Sequence, residues 1–277
     1  MTAIGWSVFR MAILVYLGLC VWLLFFQSGY VFYPGKIVGL TPAYFKMDFD
    51  DLKLRTQDGE TIAAWYVPAK KGVKSQRAVI FAHGNAGNMG DRLDSVRTFH
   101  NFGMDTLIFD YRGYGDSSGK ASERGTYLDA LAAWDYLVED RGYEPGNIVL
   151  FGRSLGGAVA AWLAERKKPC LLALESTFTS APAMAQKMFP YLPAGLLCRF
   201  KYDTLFRIKN ISCPTLIAHS PDDRMVPYSH AERLFEASSA EKRLVKFSGG
   251  HNAGGLDFDE NYQKAFLQMS GITPAPG

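Results

Sequence analysis

The stretch that most restricts what this chain can fold into is Ile148-Val149-Leu150-Phe151-Gly152-Arg153-Ser154-Leu155-Gly156-Gly157. It reads as a short buried strand that turns abruptly into a helix, Leu155 to about Glu165. A serine stands at the apex, with a glycine two residues to either side. A G-x-S-x-G pattern in that setting is a nucleophile elbow. Such a turn holds its serine in a strained backbone conformation that pushes the hydroxyl outward. Side chains at Gly152 and Gly156 would collide across so tight a bend. The helix that follows aims its unpaired N–H groups and positive dipole end at the place where an oxyanion would form.

Around this turn, strands and helices alternate. Ala78–Ala82, Thr106–Phe109, Asn147–Phe151, Cys170–Leu174, Thr215–Ala218 and Arg243–Phe247 read as strands. Asp91–Phe102, Ser122–Asp140, Tyr228–Ala237 and Phe258–Met269 read as helices. In the second of these, Tyr127, Leu131, Trp134 and Val138 follow one face. The strands are nearly continuous apolar runs, which predicts a mostly parallel central sheet covered by helices on both faces. Before them, Lys46–Arg55 and Thr61–Val67 flank Asp58-Gly59, a hairpin signal that predicts an antiparallel edge. The lysines within 70–74 read as a solvated loop. A length of 277 residues suits one large α/β domain with an appendage.

The appendage is apolar. Met11 to Phe26 carries no charge or strong polar group, and no charged side chain occurs from Met11 through Gly35. As a helix, Met11 to Phe32 would span roughly 33 Å, about one bilayer core. Trp6, Trp22, Tyr30 and Tyr33 suit its interfacial ends. A cleaved signal peptide is disfavoured, because Phe25-Phe26-Gln27-Ser28-Gly29-Tyr30 offers no small-residue cleavage site. The expectation is an uncleaved, single-pass anchor. Arg10 and the amino terminus on one side nearly balance Lys36 and Lys46 on the other. The usual habit of N-terminal signal anchors then puts the remaining domain on the non-cytoplasmic side. A formal net charge of +3 gives no nucleic-acid footprint. The four cysteines form no C-x-x-C pair, so they indicate neither a zinc site nor a disulfide framework.

A serine hydroxyl needs a base within hydrogen-bond reach, and the base needs an orienting acid. Of the five histidines, His251 leaves the last strand in a glycine-flanked loop, where it can reach an elbow serine. His100 and His230 sit in helical segments and read as surface residues. His219 ends a strand and reads as a hydrogen-bonded structural histidine. Asp222 and Asp223 follow a strand directly, and Glu175 ends an earlier one; all three are candidates for the acid. The chain order of serine, acid and histidine matches α/β-hydrolases rather than the chymotrypsin or subtilisin orders. An oxyanion hole needs two N–H groups. Leu155, immediately after Ser154, would give one, and Asn85 in the loop His83-Gly84-Asn85-Ala86-Gly87-Asn88 the other.

Taken together, His83-Gly84-Asn85, Asp110-Tyr111-Arg112-Gly113-Tyr114-Gly115-Asp116-Ser117-Ser118-Gly119, Gly152-Arg153-Ser154-Leu155-Gly156, Asp223-Arg224-Met225-Val226-Pro227 and Gly250-His251 carry a family resemblance. Over about residues 45–270 the chain resembles α/β-hydrolase fold serine hydrolases. Within them it is similar to the N-terminally membrane-anchored, bud-emergence/ABHD type with a serine aminopeptidase-like domain. The resemblance implies that the acid is the Asp of a D-x-x-V-P pattern, which is Asp223 here. It also implies no cofactor and, in several members, hydrolysis of acyl esters or thioesters. The expected organisation is an anchor over 1–32, a linker over 33–45 and a catalytic domain over 46–277, with a short cap at about 177–213. Met184, Met188, Phe189, Leu196 and Leu197 in the cap suit either an acyl chain or packing onto the core. The expected partners are an acyl or small ester substrate and, through the N-terminal helix, a lipid bilayer. A peptidase and a non-catalytic ligand-binding protein are the alternatives.

Overall fold

The structure, a computed structural model, describes residues 3–71 and 77–272; Gly72, Val73 and Lys74 of the expected loop lie outside these. Eight strands make the central sheet: β1 (Asp50–Arg55), β2 (Thr61–Val67), β3 (Ala78–Ala82), β4 (Asp105–Phe109), β5 (Ile148–Arg153), β6 (Leu171–Glu175), β7 (Thr215–His219) and β8 (Lys242–Lys246). Their order across the sheet is β1-β2-β4-β3-β5-β6-β7-β8. β2 runs antiparallel to both its neighbours, and every pairing from β4 to β8 is parallel. The hairpin turn between β1 and β2 uses Gly59 at φ +91°, a conformation that favours glycine.

The main helices are α1 (Ala3–Phe26), followed directly by a short helical turn over Ser28–Val31, then α2 (Leu93–Asn101), α3 (Glu123–Asp135), α4 (Leu155–Arg166), α5 (Ala181–Met188), α6 (Ala194–Leu197), α7 (Thr204–Ile208), α8 (Ser229–Ala237) and α9 (Glu260–Ser270). The central strands are buried on both faces because their residues alternate between two cores. Ile80, Leu150 and Leu172 face α3, α4 and α8, packing with Trp134, Val159 and Leu234. Val79, Phe81 and Phe151 face α2 and α9, packing with Phe99 and Phe266. This is the expected α/β-hydrolase architecture. Element ends differ locally from expectation. The helix expected over Ser122–Asp140 is α-helical only to Asp135 and continues as a π turn over Tyr136–Asp140; the Ser122 hydroxyl caps its start by accepting from Gly125 N–H.

α1 is the one helix of the described chain long and apolar enough to cross a membrane, over Ile4–Phe26. Most of its surface is exposed, but Leu23 and Gln27, one turn apart, are buried. Beyond it, Tyr33–Pro34 pairs in parallel with Ala86–Gly87, and Gly35 N–H donates to the Gly87 carbonyl at 2.8 Å. The segment following the apolar helix is therefore stitched to the loop that leaves β3. The segment between β6 and β7 carries α5 and α6 over the site, and then α7, which packs on α4 and α8.

Candidate active site

Ser154 stands between β5 and α4 with φ +55° and ψ −118°, a strained conformation for a residue with a side chain. The two flanking glycines are needed for different reasons. A Cβ at Gly152 would lie 2.4 Å from the Gly156 carbonyl oxygen, across the bend. A Cβ at Gly156 would lie 1.9 Å from the Ala82 carbonyl oxygen, so the second glycine is demanded by strand β3 rather than by the turn itself. The strain is held by anchors on β6 and just beyond it. Ser154 N–H donates to the Glu175 carbonyl at 2.9 Å, and the Thr177 hydroxyl donates to the Ser154 carbonyl at 2.7 Å.

The three residues expected to act together are together. Ser154 Oγ lies 2.9 Å from His251 Nε2, and His251 Nδ1 lies 2.6 Å from Asp223 Oδ2. The contact to a carboxylate assigns the ring proton to Nδ1, so Nε2 is left to accept from the serine hydroxyl. Asp223 Oδ1 accepts from the backbone N–H of Met225 at 2.8 Å and Val226 at 2.9 Å. Burial pushes the Asp223 carboxyl up, but hydrogen bonds from His219 and His251 and from the Val226 N–H outweigh it and hold the group well below the ordinary carboxylate range. His219 is the buried, hydrogen-bonded residue expected. Its Nε2 lies 2.9 Å from the Val226 carbonyl and 3.2 Å from Asp223 Oδ2, a contact with the acid that its position at a strand end did not announce.

The rival acids lie elsewhere. Asp222 is exposed. Glu175 pairs with Arg153 and accepts from Leu256 N–H at 3.1 Å. Arg153 also reaches Ser95 Oγ at 3.0 Å, and Ser95 in turn donates to Asp257 at 2.9 Å. This network escaped the sequence reading. It ties the loop that follows His251 to the strand that carries the elbow. His230 is a correction: it is buried, not a surface residue. It shares a helix face with Leu234, and its Nδ1 accepts from the Thr179 N–H at 3.1 Å and contacts the Thr179 hydroxyl at 2.9 Å. The i, i+4 spacing with Leu234 was the signal that could have found it.

Asn85 and Leu155 line the same cavity as Ser154. The Asn85 carbonyl accepts from Tyr33 N–H at 2.9 Å and the Tyr114 hydroxyl at 2.7 Å, and its side-chain amide donates to the Val31 carbonyl at 2.7 Å. These contacts fix the peptide planes of the loop. The cavity has a volume of about 530 Å³, within the range of small-molecule sites. Phe178, Met184, Met188 and Phe189 of the cap form one side of it. Leu23, Gln27, Tyr30 and Val31 form another, which the sequence did not foretell. Among the described residues no group of three or more His, Cys, Asp or Glu side chains is arranged to hold a metal.

Comparison with known proteins agrees with this fold. The family described as "Serine aminopeptidase, S33" matches residues 73–201. The chain is 35% identical to protein bem46 of Schizosaccharomyces pombe over 217 residues, covering 75% of this chain and 72% of that one. It is 32% identical to the alpha/beta hydrolase domain-containing protein WAV2 of Arabidopsis thaliana over 269 residues, covering 88% and 87%. A Saccharomyces cerevisiae protein described as a membrane protein is 34% identical over 220 residues, covering 76% of each chain. Among solved structures, the Pyrococcus furiosus esterase Pf2001 superposes with a TM-score of 0.72 at 21% identity, covering 88% of this chain and 99% of that one. The strand order, the elbow and the relatives that match across most of their length lead to one assignment: this chain belongs to the α/β-hydrolase family, in the group of bem46 and WAV2.

Proposed function

We propose that the protein is a serine hydrolase of carboxylic esters or thioesters, held to a bilayer by α1, with its catalytic domain on the non-cytoplasmic side. One observation carries the chemistry: a serine in a strained elbow lies 2.9 Å from a histidine whose other nitrogen lies 2.6 Å from a buried carboxylate. In this reading Ser154 Oγ attacks the substrate carbonyl carbon while its proton passes to His251 Nε2. The Asn85 and Leu155 N–H groups receive the oxyanion. The tetrahedral adduct collapses, the C–O or C–S bond breaks, and the leaving alcohol or thiol takes the proton from His251. Water then attacks the acyl-enzyme, gives a proton to His251, and the second adduct releases the acid and restores the Ser154 hydroxyl. Asp223 holds the ring tautomer and stabilises its cationic form.

An ester or thioester fits the cavity better than a peptide with a free amino terminus. Among the described residues no Asp or Glu lines it, and an α-amino group would call for one. Membrane attachment rests on the length of the apolar helix and on the yeast relative described as a membrane protein. The test is labelling with a fluorophosphonate probe. The wild-type protein is expected to be labelled, and Ser154→Ala is expected to lose the label. Strong labelling of that variant removes Ser154 as the nucleophile.

A further inference from the structure

The cavity beside Ser154 is closed on one side by the end of α1, not by the hydrolase domain alone. A helix that served only as a tether would need no fixed position on the domain. This one has a fixed position. Gln27 is 6% exposed, and both ends of its amide are used on the cap: Nε2 donates to the Leu197 carbonyl at 2.7 Å, and Oε1 accepts from Arg199 N–H at 2.7 Å. One turn earlier, Leu23 turns its side chain into the cavity wall. One turn later, Tyr30 meets Phe189 edge to face, with ring centroids 5.3 Å apart.

The surroundings of this junction are apolar on the outside too. In the cap, Tyr191 and Leu196 are 90% and 89% exposed, and α6, which carries Leu196, packs on α1. Apolar side chains presented beside a bilayer-crossing helix are at home in a membrane interface rather than in water. Among the described residues lining the cavity Lys187 is the one that is charged, and its ammonium is taken by the Arg224 and Met225 carbonyls at 2.6 and 2.7 Å. An apolar path thus runs from the end of the membrane helix to the serine hydroxyl.

We propose that the last turn of α1 is the acyl-binding wall of the active site, and that the substrate is a long-chain acyl ester or thioester drawn from the bilayer along that helix. The proposal rests on Ser154 as the nucleophile. It makes Leu23 a specificity-determining residue and Gln27 a positioning residue that sets the wall against the cap. A long acyl chain leaves hydrocarbon, enters an apolar cavity and places its carbonyl at Ser154 without exposing its length to water.

The test uses the full chain in phosphatidylcholine vesicles, with 4-nitrophenyl acetate and 4-nitrophenyl laurate as probes. Leu23→Trp fills the wall, and the laurate-to-acetate ratio of kcat/KM is expected to fall about tenfold or more. In the wild-type protein, diluting laurate with phosphatidylcholine at constant bulk concentration is expected to lower the rate in step with its mole fraction in the bilayer. An unchanged ratio in Leu23→Trp, or a laurate rate that follows bulk concentration, overturns the proposal. The dilution measurement needs no variant and decides the bilayer route; if Leu23→Trp does not fold, the laurate-to-acetate ratio of the smaller change Leu23→Phe decides the wall, with an unchanged ratio overturning it. Fluorophosphonate labelling of the wild type separates the outcomes: a labelled enzyme that fails these tests sinks the wall alone, whereas an unlabelled and inactive one sinks the hydrolase reading as well.

Discussion

A carboxylate as enclosed as Asp223 would ordinarily resist ionising, because burial penalises its charge. Here two backbone N–H groups of its own loop and two histidine rings converge on it, and the ionised form wins. That charge in turn keeps the His251 proton on Nδ1. Asp223→Asn preserves the shape and removes the charge. Its amide can donate to Nδ1, which would force the proton to Nε2 and leave no acceptor for the Ser154 hydroxyl. Turnover of 4-nitrophenyl acetate should fall by about 10³–10⁴ in kcat. KM should move much less, because the cavity lining is untouched. Choosing between Asp222 and Asp223 lay beyond residue chemistry, since both follow the same strand. Only the D-x-x-V-P resemblance separated them in the sequence, and the structure puts Asp223 inward and Asp222 in solvent.

At the scale of elements, the legible parts were those whose signal is local. β2 and β3 occupy the residues expected, because a strand buried on both faces must be apolar without interruption. The elbow's signal was equally local, five consecutive residues, although the need for its second glycine comes from Ala82 on β3. What was not legible depends on partners far along the chain. Gln27 reads as the polar end of an apolar run, yet its two partners, Leu197 and Arg199, lie 170 and 172 residues downstream. His230 misleads for the same reason, since its acceptor role is created by Thr179, 51 residues away. The clamp at Gln27 has a measurable consequence. Gln27→Leu keeps an apolar side chain of similar size in place but leaves the Leu197 carbonyl and Arg199 N–H without their partner. Each orphaned group costs about 1–3 kcal/mol. Thermal unfolding of the detergent-solubilised chain should show a drop in Tm of several degrees. Equal stability of wild type and Gln27→Leu would mean that α1 does not dock on the cap.

For the molecule as a whole, stability between about pH 4 and 6.5 depends in part on buried groups that work against one another. Burial, and then the positive charges of Arg233 and Lys187, bring the His230 imidazole down to about 4 from an ordinary 6.5, against the opposing pull of Asp223. Burial likewise pushes the Asp129 carboxyl up to about 6, against its hydrogen bonds from Arg112, and the Asp257 carboxyl up to about 6, against the charge of Arg153. Between about pH 4 and 6.5 the unfolded chain protonates His230 and the folded chain does not, so this residue makes stability rise with pH. The two aspartates act in the opposite direction: from about pH 4 to 6 the folded chain keeps protons that the unfolded chain has released. The three effects offset one another in part, and an unfolding curve of the wild type alone does not isolate any of them. His230→Asn does, because an amide oxygen can still accept from Thr179 N–H but does not titrate. Above pH 6.5 the His230 contribution is fully present in the wild type. As pH falls from 6.5 to 4, the wild type should lose about 2–3 kcal/mol relative to the variant. The check is denaturant unfolding of both proteins at several pH values in that window. A difference between them that stays constant with pH would show that His230 already carries its proton in the folded chain, and that the Thr179 N–H has no acceptor there.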